Sequence, residues 1–294
     1  MNEPTTDTIT ENEIQSLRAE VEGLEARDQS GMDSGDARRL IDRFLDALES
    51  GGIRAASPTP DRQWRVHPWV KSGILAAFRF GSITSFGHGD LSFVDVDTLP
   101  PRKFGEGSRI RIVPGGTAVR RGAHLGDETI CMPPSYVNVG AFVGERTMVD
   151  SHALVGSCAQ IGARVHLSAA TQVGGVLEPV GALPVIVEDD VFVGGGCGIY
   201  EGCIVRRGAV LAPGVILSRS TPVFDLVNEC ILRAESENPL EIPEGAVVVP
   251  GSRPASSPFA QTNGISLYAP VIVKYRDART DAATALEQSL RDLN

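Results

Sequence analysis

The sequence has little of what secreted, membrane-bound or nucleic-acid-binding proteins need. No apolar run approaches the roughly 18 residues that span a membrane, and the polar, acidic start MNEPTTDTITENEIQ is unlike a secretion signal. The five cysteines form no CxxC pair, and their odd number argues against a closed disulfide framework, so we expect small buried residues. A net charge of -10 argues against nucleic acid as a partner, because phosphate binding requires a basic surface. We therefore expect a cytoplasmic enzyme with small-molecule substrates.

The chain does contain a six-residue repeat. An aliphatic residue or cysteine recurs at every sixth position in two runs: Val113, Val119, Leu125, Cys131, Val137, Val143, Val149, Val155, Ile161, Leu167 and Val173, then Val187, Val193, Ile199, Val205, Leu211 and Leu217. A small or β-branched residue follows all of these except Val173 by four positions. The second run is two residues out of phase with the first, and the intervening GGVLEPVGALPV is typical of a loop inserted between coils.

A period of six matches neither an α-helix, with 3.6 residues per turn, nor an alternating strand, with a period of 2. It matches a triangular prism in which each hexad forms one short parallel strand and a corner, and three hexads form a coil. The sequence therefore predicts a mainly β protein built on a left-handed parallel β-helix of hexapeptide repeats, which is an exception to right-handed parallel crossovers.

The rest of the chain is predicted to flank this prism. We expect a polar segment that is helical or disordered, a small N-terminal α+β domain, the β-helix, and a C-terminal strand and helix extension, at residues 1–33, 34–108, 109–252 and 253–294. The apolar spacing predicts helices over residues 34–50 and from about Pro68. The segment TPVFDLVNECILRAES is expected to leave the prism and IPEGAVVVPGS to return to it. In the extension we expect SRPASSPFAQTNG to be a loop, LYAPVIVKY a strand, and Thr280 to cap a last helix.

One long stretch carries a specific resemblance. The run MPPSYVNVGAFVGERTMVDSHALVGSCAQIGARVHLSAATQVGGVLEP resembles the signature region of the tetrahydrodipicolinate N-succinyltransferases, hexapeptide-repeat acyltransferases of lysine and diaminopimelate synthesis. The similarity continues through EGAVVVPGS, SLYAPVIVK and QWRVHPWVKSGILAAFR, so it extends from about residue 36 to 290.

The resemblance implies a function and an assembly. It implies succinyl transfer from succinyl-CoA, as a co-substrate, to the amine of hydrated, ring-opened tetrahydrodipicolinate, by a homotrimer with sites between subunits and with no bound cofactor or metal. Two alternatives stay open: transfer from acetyl-CoA or another acyl-CoA to a related amino-acid-like acceptor, and a β-helix binding scaffold that has lost catalysis.

The same resemblance implies two site residues. Asp150 of the TMVD motif corresponds to the family's proposed catalytic or substrate-binding carboxylate, and Arg111 in RIRIVP corresponds to a substrate contact. The sequence departs from the common form at two positions, since His152 replaces a tryptophan and Gly198 replaces a second proposed catalytic glutamate. Without the resemblance, the sequence favours a solvated corner aspartate at position 150.

The remaining candidates follow from chemistry and spacing. The phosphates of CoA require cations, and the candidates are Lys274, Arg219, Arg206 and Arg207, of which Lys274 lies in the matching VIVK stretch. At eighteen residues per coil, Asp150 is expected to lie above Ser168. Glu188 would follow in the same row at about 10 Å from Asp150. His124 and His166 are expected on different sides of the prism, which argues against a three-histidine metal site within one chain. His152 or His166 stays open as an alternative base.

Overall fold

Three helices and two hairpins precede the prism in the computed structural model, which describes residues 9–25, 34–88, 91–235 and 238–276. These elements are α1 (Glu11–Glu25), α2 (Ser34–Glu49), β1 (Ala56–Pro58), β2 (Trp64–Val66), α3 (Pro68–Arg79), β3 (Ile83–His88) and β4 (Leu91–Val96). Both predicted helices are confirmed, as α2 and α3. Part of the polar N-terminal segment is helical, as α1, which buries Leu17, Val21 and Leu24. The predicted helix after Thr280 lies outside the described residues.

Helix α3 shows how the sequence sets this part of the fold. Pro68 occupies the first turn, where a missing backbone N–H costs nothing. Val70, Ile74 and Ala77 are fully buried on one face. The cluster they join also contains Val139 and Cys158 from prism corners, so the helices pack directly against the β-helix. None of the helices in the described part of the chain is long and apolar enough to cross a membrane.

The aliphatic repeat forms three parallel sheets, the sides of a triangular prism. The strands of the first run are β5 (Arg111–Ile112), β6 (Ala118–Val119), β7 (His124–Leu125), β8 (Ile130–Cys131), β9 (Tyr136–Val137), β10 (Phe142–Val143), β11 (Met148–Val149), β12 (Leu154–Val155), β13 (Gln160–Ile161), β14 (His166–Leu167) and β15 (Gln172–Val173). Those of the second run are β16 (Ile186–Val187), β17 (Phe192–Val193), β18 (Gly198–Ile199), β19 (Ile204–Val205), β20 (Val210–Leu211) and β21 (Ile216–Leu217). The predicted left-handed parallel β-helix is confirmed.

The remaining strands extend this framework at its C-terminal end. They are β22 (Val223–Asp225), β23 (Cys230–Leu232), β24 (Glu241–Ile242), β25 (Ala246–Val249), β26 (Ser252–Pro254), β27 (Ser266–Tyr268) and β28 (Val271–Tyr275). Sheet A has the order β24-β19-β16-β13-β10-β7, sheet B the order β23-β22-β28-β25-β20-β17-β14-β11-β8-β5, and sheet C the order β21-β18-β15-β12-β9-β6.

The interior of the prism is a continuous apolar core. The second residue of each strand points inward, and nearly all of these positions are buried, for example Val143, Val149, Val155 and Ile161 at 0% exposure. Each large aliphatic side chain contributes about 1.5–3 kcal/mol when fully buried. Polar residues at the small positions satisfy their own hydrogen bonds, since the Thr147 hydroxyl donates to the Gly162 carbonyl at 2.9 Å.

The first inserted loop is longer than the change of phase suggests. Neighbouring coils pair residues eighteen apart, as Val149 pairs with Leu167. Across the loop, Leu167 pairs with Val193 and Val173 pairs with Ile199. The insertion is therefore eight residues rather than two. Insertions of two and of eight residues shift a six-residue repeat by the same two positions. The phase of the repeat alone therefore does not distinguish the two insertion lengths.

The C-terminal region confirms the return to the prism and corrects its details. Val205 pairs with Ile242 and Leu211 with Val248, as the IPEGAVVVPGS segment predicted. The predicted loop SRPASSPFAQTNG instead contains β26 and a short helix α4 (Pro258–Thr262). The predicted single strand LYAPVIVKY is two strands, β27 and β28, because Ala269 and Pro270 interrupt the regular strand structure between them.

The expectation of buried cysteines holds for four of the five. Cys131, Cys158, Cys197 and Cys203 are buried, and burial raises the pKa of the Cys131 thiol to about 12. The expectation is wrong for Cys230, which is exposed. Cys230 lies in β23, where the β22–β23 hairpin leaves the prism, so it has no place in the interior rows.

Candidate active site

Asp150 lies at a corner of the prism, directly after β11. Its backbone N–H donates to the Leu167 carbonyl at 2.9 Å, which places Ser168 next to it in the following coil, as predicted. The side chain is half-buried, and Oδ1 accepts a hydrogen bond from the Ser151 backbone N–H at 2.7 Å. Oδ2 has no hydrogen-bond partner within the described residues, so one carboxylate oxygen is available to a ligand.

The corner geometry explains why these residue types are tolerated here. His152 adopts the left-handed backbone conformation, with φ of 61°, as do Arg146 and Arg164 at the equivalent corner positions. The second hexad position, which Asp150 occupies, does not need this conformation. The backbone conformation therefore allows a carboxylate at position 150. At neighbouring corners close contact requires glycine, since a Cβ atom on Gly144 would lie 2.5 Å from the Gly162 carbonyl carbon.

Arg111 lies in the same sheet as the Asp150 corner. It pairs with Ile130, and Ile130 pairs with Met148, two residues before Asp150. Two strand steps correspond to about 10 Å along the prism. The Arg111 side chain is exposed, and none of the described residues hydrogen-bonds or ion-pairs with it. The structure thus brings the two residues to one end of sheet B, within reach of one small ligand.

Lys274 lies at the other end of sheet B. It is half-buried in β28 and pairs with Val247 of β25. Five strand steps separate β28 from β11, which corresponds to about 24 Å. Lys274 and Asp150 of one chain therefore cannot touch the same small group.

A large cavity, of about 800 Å³, lies on a different corner of the prism. The inserted loop, the corner after β18, and β2 form its walls, with Gly174, Ala182, Tyr200, Glu201, Arg219 and Trp64 among the lining residues. Its volume is typical of a small-molecule site. Asp150 is not part of its lining: Asp150 lies at the edge of sheet C where β12 begins, and this cavity lies at the edge where β18 ends.

Arg219 is the candidate phosphate contact that reaches this cavity. Its backbone N–H donates to Glu201 Oε2 at 3.0 Å, and its guanidinium donates to the Glu235 carbonyl at 3.0 Å. These bonds hold the side chain at the cavity wall. The position suits an anionic group of a ligand that enters along the inserted loop.

Gly198 lies beside Tyr200 in the same part of the molecule. A Cβ atom added to Gly198 would lie 2.6 Å from Tyr200 Cε2 and 2.9 Å from its hydroxyl oxygen. The ring therefore occupies the space into which a glutamate at position 198 would extend. The Tyr200 hydroxyl has no hydrogen-bond partner among the described residues and belongs to the lining of the cavity.

The expected position of Glu188 is wrong. The longer insertion moves Gly194, not Glu188, into the row of Asp150 and Ser168. Glu188 instead lies on the corner between sheets A and B. Its Oε1 accepts from Trp64 Nε1 at 3.0 Å and from Arg206 Nη1 at 2.9 Å, so it holds β2 against the prism.

The other two candidate phosphate contacts are engaged in ion pairs. Arg206 pairs with Glu188 at 2.9 Å and with Glu241 at 2.7 Å, and its side chain is only 12% exposed. Arg207 pairs with Asp190 at 3.2 Å. Both arginines therefore stabilise the corner beside Glu188, and a ligand would have to displace these carboxylates to use them.

The histidines lie on different sides of the prism, as expected. His124 is in sheet A, where Nδ1 donates to the Glu49 carbonyl at 2.8 Å and burial lowers the pKa of its ring. His166 is in sheet B, where it packs against Phe192 with ring centroids 5.2 Å apart. His152 is exposed at the Asp150 corner. Within the described ranges, no group of three His, Cys, Asp or Glu residues is placed to hold a metal ion.

Sequence reasoning missed two residues of the large cavity. Trp64 lies in a three-residue strand outside the hexad repeat, and nothing in its spacing indicates a site. Tyr200 follows Ile199 in the corner position where most hexads have a small or polar residue. That bulky ring at a corner, two residues after a glycine, was the one signal available.

Comparison with known proteins places this geometry in a family. Residues 16–80 match the family model described as Tetrahydrodipicolinate N-succinyltransferase N-terminal. The chain is 40% identical over 281 residues to the 2,3,4,5-tetrahydropyridine-2,6-dicarboxylate N-succinyltransferase of Idiomarina loihiensis, covering 92% of this chain and 96% of the relative. It is 42% identical over 261 residues to that of Acinetobacter baylyi, covering 87% and 90%. It is 41% identical over 276 residues to that of Rhodopseudomonas palustris, covering 92% and 95%. These similarities extend over most of each sequence, and the chain belongs to the tetrahydrodipicolinate N-succinyltransferase family.

Proposed function

We propose that this protein transfers a succinyl group from succinyl-CoA to the amine of hydrated, ring-opened tetrahydrodipicolinate, as a cytoplasmic homotrimer. Its relatives named for this reaction match it over nearly their whole length, at 40% identity over 96% of one of them. The observation that carries the proposal on the structural side is the free oxygen of Asp150, with Arg111 at the same end of sheet B.

The reaction needs positioning and proton removal rather than covalent catalysis. The amine nitrogen attacks the thioester carbonyl carbon, an amide C–N bond forms, and the C–S bond breaks. The amine proton leaves, and the CoA sulfur departs as thiolate or thiol. A direct ternary complex is sufficient, because no step requires an acyl-enzyme.

Asp150 holds the acceptor amine in this scheme. Its Oδ1 is fixed by the Ser151 N–H, which leaves Oδ2 to accept a hydrogen bond from the substrate ammonium and then to receive its proton. A charge-assisted hydrogen bond to a carboxylate also orients the nitrogen towards the thioester. Arg111 binds a carboxylate of the dianionic acceptor, for which a guanidinium offers two parallel N–H groups.

Two features support a site shared between subunits. Asp150 and the large cavity with Arg219 lie at opposite edges of sheet C, and Lys274 is about 24 Å from Asp150 within one chain. A neighbouring copy that packs against sheet C places its own cavity beside Asp150. Arg219 and Lys274 then bind the phosphates of a succinyl-CoA that extends along the prism, and the protein needs no bound cofactor.

The test measures CoA release by the purified protein with succinyl-CoA and with acetyl-CoA, each with and without tetrahydrodipicolinate. We expect release with succinyl-CoA that depends on the acceptor. Faster release with acetyl-CoA would identify a different acyltransferase. Absent or acceptor-independent release would contradict the proposal and favour a binding scaffold. The glycine at position 198, in place of a catalytic glutamate, would then be the first structural explanation for the lost activity.

A further inference from the structure

A second cavity lies between the N-terminal region and sheet A. It has a volume of about 440 Å³, and Arg54, Trp64, Phe142, Glu145, Glu188 and Asp189 are part of its lining. Its lining includes neither Asp150 nor the other residues assigned to acyl transfer. It shares Trp64 with the larger cavity, so the indole forms part of the wall of both.

Arg54 is held in this cavity by contacts on two sides. Its Nε donates to Gln160 Oε1 at 2.9 Å, and its guanidinium carbon lies 3.6 Å from the centroid of the Phe142 ring. Gln160 is fully buried, and its amide nitrogen donates to the Cys158 carbonyl at 2.9 Å, which directs its oxygen to Arg54. The Trp64 ring lies 5.6 Å from the same guanidinium carbon. The cation is therefore pre-organised and stacked against aromatic rings.

The charge of Arg54 has no counterion within the part of the chain that the structure describes. None of the described carboxylates lies within ion-pair distance, and Nη1 and Nη2 have no hydrogen-bond partner among the described residues. Burial lowers the pKa of Arg54 to about 10, and the more distant Asp189 offsets only part of this effect. The side chain is half-buried, and its unpaired Nη groups are available to an anion that enters the cavity.

The other charged groups of the cavity already have partners. Glu188 accepts hydrogen bonds from Trp64 and Arg206, and Asp189 Oδ1 accepts from the Ala163 backbone N–H at 2.9 Å. Glu145 lies 4.0 Å from Arg164 and adds negative charge to the cavity wall. Arg62 and Arg207 also line the cavity, and they pair with Glu244 and Asp190. Arg54 is therefore the cation of the lining that is left to bind one negative group.

We propose that this cavity is a binding site for a small organic monocarboxylate. The carboxylate accepts two hydrogen bonds from the free Nη groups of Arg54, which is the geometry that a guanidinium favours. Phe142 and Trp64 provide apolar surface for a flat or aliphatic body. The site is separate from the proposed acyl-transfer site, and it does not depend on which acyl group that site transfers.

The first test uses 4-bromobenzoate as the probe and the full chain. The chain has two tryptophans, so a Trp69→Phe background leaves Trp64 as the only one. We expect saturable quenching of its fluorescence with a dissociation constant below about 1 mM, and none with the neutral 4-bromobenzamide. Arg54→Met should weaken binding by about tenfold or more. Tyr200→Phe, which changes only the larger cavity, should leave it unchanged.

Three results would overturn the proposal: equal binding of the amide, unchanged binding by Arg54→Met, or displacement by inorganic phosphate at comparable affinity. If Arg54→Met fails to fold, crystals of the wild-type protein soaked with 4-bromobenzoate decide the question. The anomalous signal of bromine should lie in this cavity, with the carboxylate within hydrogen-bond distance of Arg54. Bromine found only elsewhere, or nowhere, would contradict the assignment.

Discussion

The ring of Tyr200 fills the space beside Gly198. A Cβ atom on Gly198 would approach the ring to 2.6 Å, closer than real side chains allow. The packing of these two residues is therefore coupled, since a side chain at position 198 requires the ring at position 200 to move. Tyr200 also lines the large cavity, so this pair shapes part of the cavity wall.

The first prediction concerns this pair. We expect Gly198→Ala to lower the free energy of unfolding by about 1–3 kcal/mol, because the methyl group overpacks the ring. In a Tyr200→Ala background the same substitution should cost much less. A double-mutant cycle measured by urea denaturation tests this coupling. An equal cost in both backgrounds would show that the ring does not restrict position 198.

The second prediction concerns pH and the Asp97 carboxylate. Arg38 Nη1 donates to Oδ1 at 2.8 Å and Nη2 forms an ion pair with Oδ2 at 2.8 Å, and the Ser82 backbone N–H donates another hydrogen bond at 2.8 Å. The bond from Arg38, followed by that from Ser82, lowers the pKa of Asp97 to about 2. An unfolded aspartate has a pKa of about 3.9. The folded state binds fewer protons between these values, so this contribution is present above about pH 4 and is lost as pH falls through about 2.

We expect Asp97→Asn to lower the free energy of unfolding at pH 7 by up to about 1 kcal/mol, because solvent screens this partly exposed pair. The difference from wild type should narrow as the pH falls below about 4. Arg38→Met removes the same pair from the other side and should reproduce the effect. Urea denaturation across this pH range is the measurement, and a difference that stays constant with pH would contradict it.

The third prediction concerns the thiols. Burial raises the pKa of Cys158 and Cys203 to about 12 and that of Cys197 to about 11, so these thiols are protonated and shielded. We expect at most one thiol per chain, that of Cys230, to react with a chromogenic disulfide under native conditions, and five to react in denaturant. Rapid native reaction of two or more thiols would contradict the packing of the prism interior.

The prism itself was predictable because its rule is local and repeated. Val143, Val149 and Val155 each point inward for the same reason, and every coil repeats the same parallel pairing. Such a signal accumulates over seventeen positions, so a single irregular hexad does not obscure it. The corner position of Asp150 follows from the same rule, since it is counted directly from Val149.

The contacts between distant segments were not predictable in this way. A periodic pattern is insensitive to whole added hexads, which is why the row containing Glu188 was misplaced. The Trp64 to Glu188 hydrogen bond joins residues 124 positions apart, and the Arg54 to Gln160 bond joins residues 106 apart. These pairings depend on how the N-terminal region docks against sheet A, which no spacing within either segment specifies.

The fourth prediction tests the shared site. Asp150→Asn and Arg219→Ala are each expected to be nearly inactive alone. Trimers reassembled from equal amounts of both should recover about a quarter of wild-type turnover, because random mixing pairs an intact Asp150 with an intact neighbouring Arg219 at that frequency. The control is a mixture of the two variant trimers under conditions in which their subunits do not exchange. No recovery in verified mixed trimers would place both residues in a site within one chain.

The most direct test of the central claim is the turnover of Asp150→Asn with succinyl-CoA and tetrahydrodipicolinate. Asp127→Asn, at another corner of the prism, is the matched control, since Asp127 pairs with Arg109 on the surface. We predict that Asp150→Asn keeps its thermal stability and its trimer but loses at least about 100-fold in kcat, while the control stays within about twofold of wild type. Near-normal turnover by a folded Asp150→Asn protein would contradict the account and remove Asp150 from the reaction.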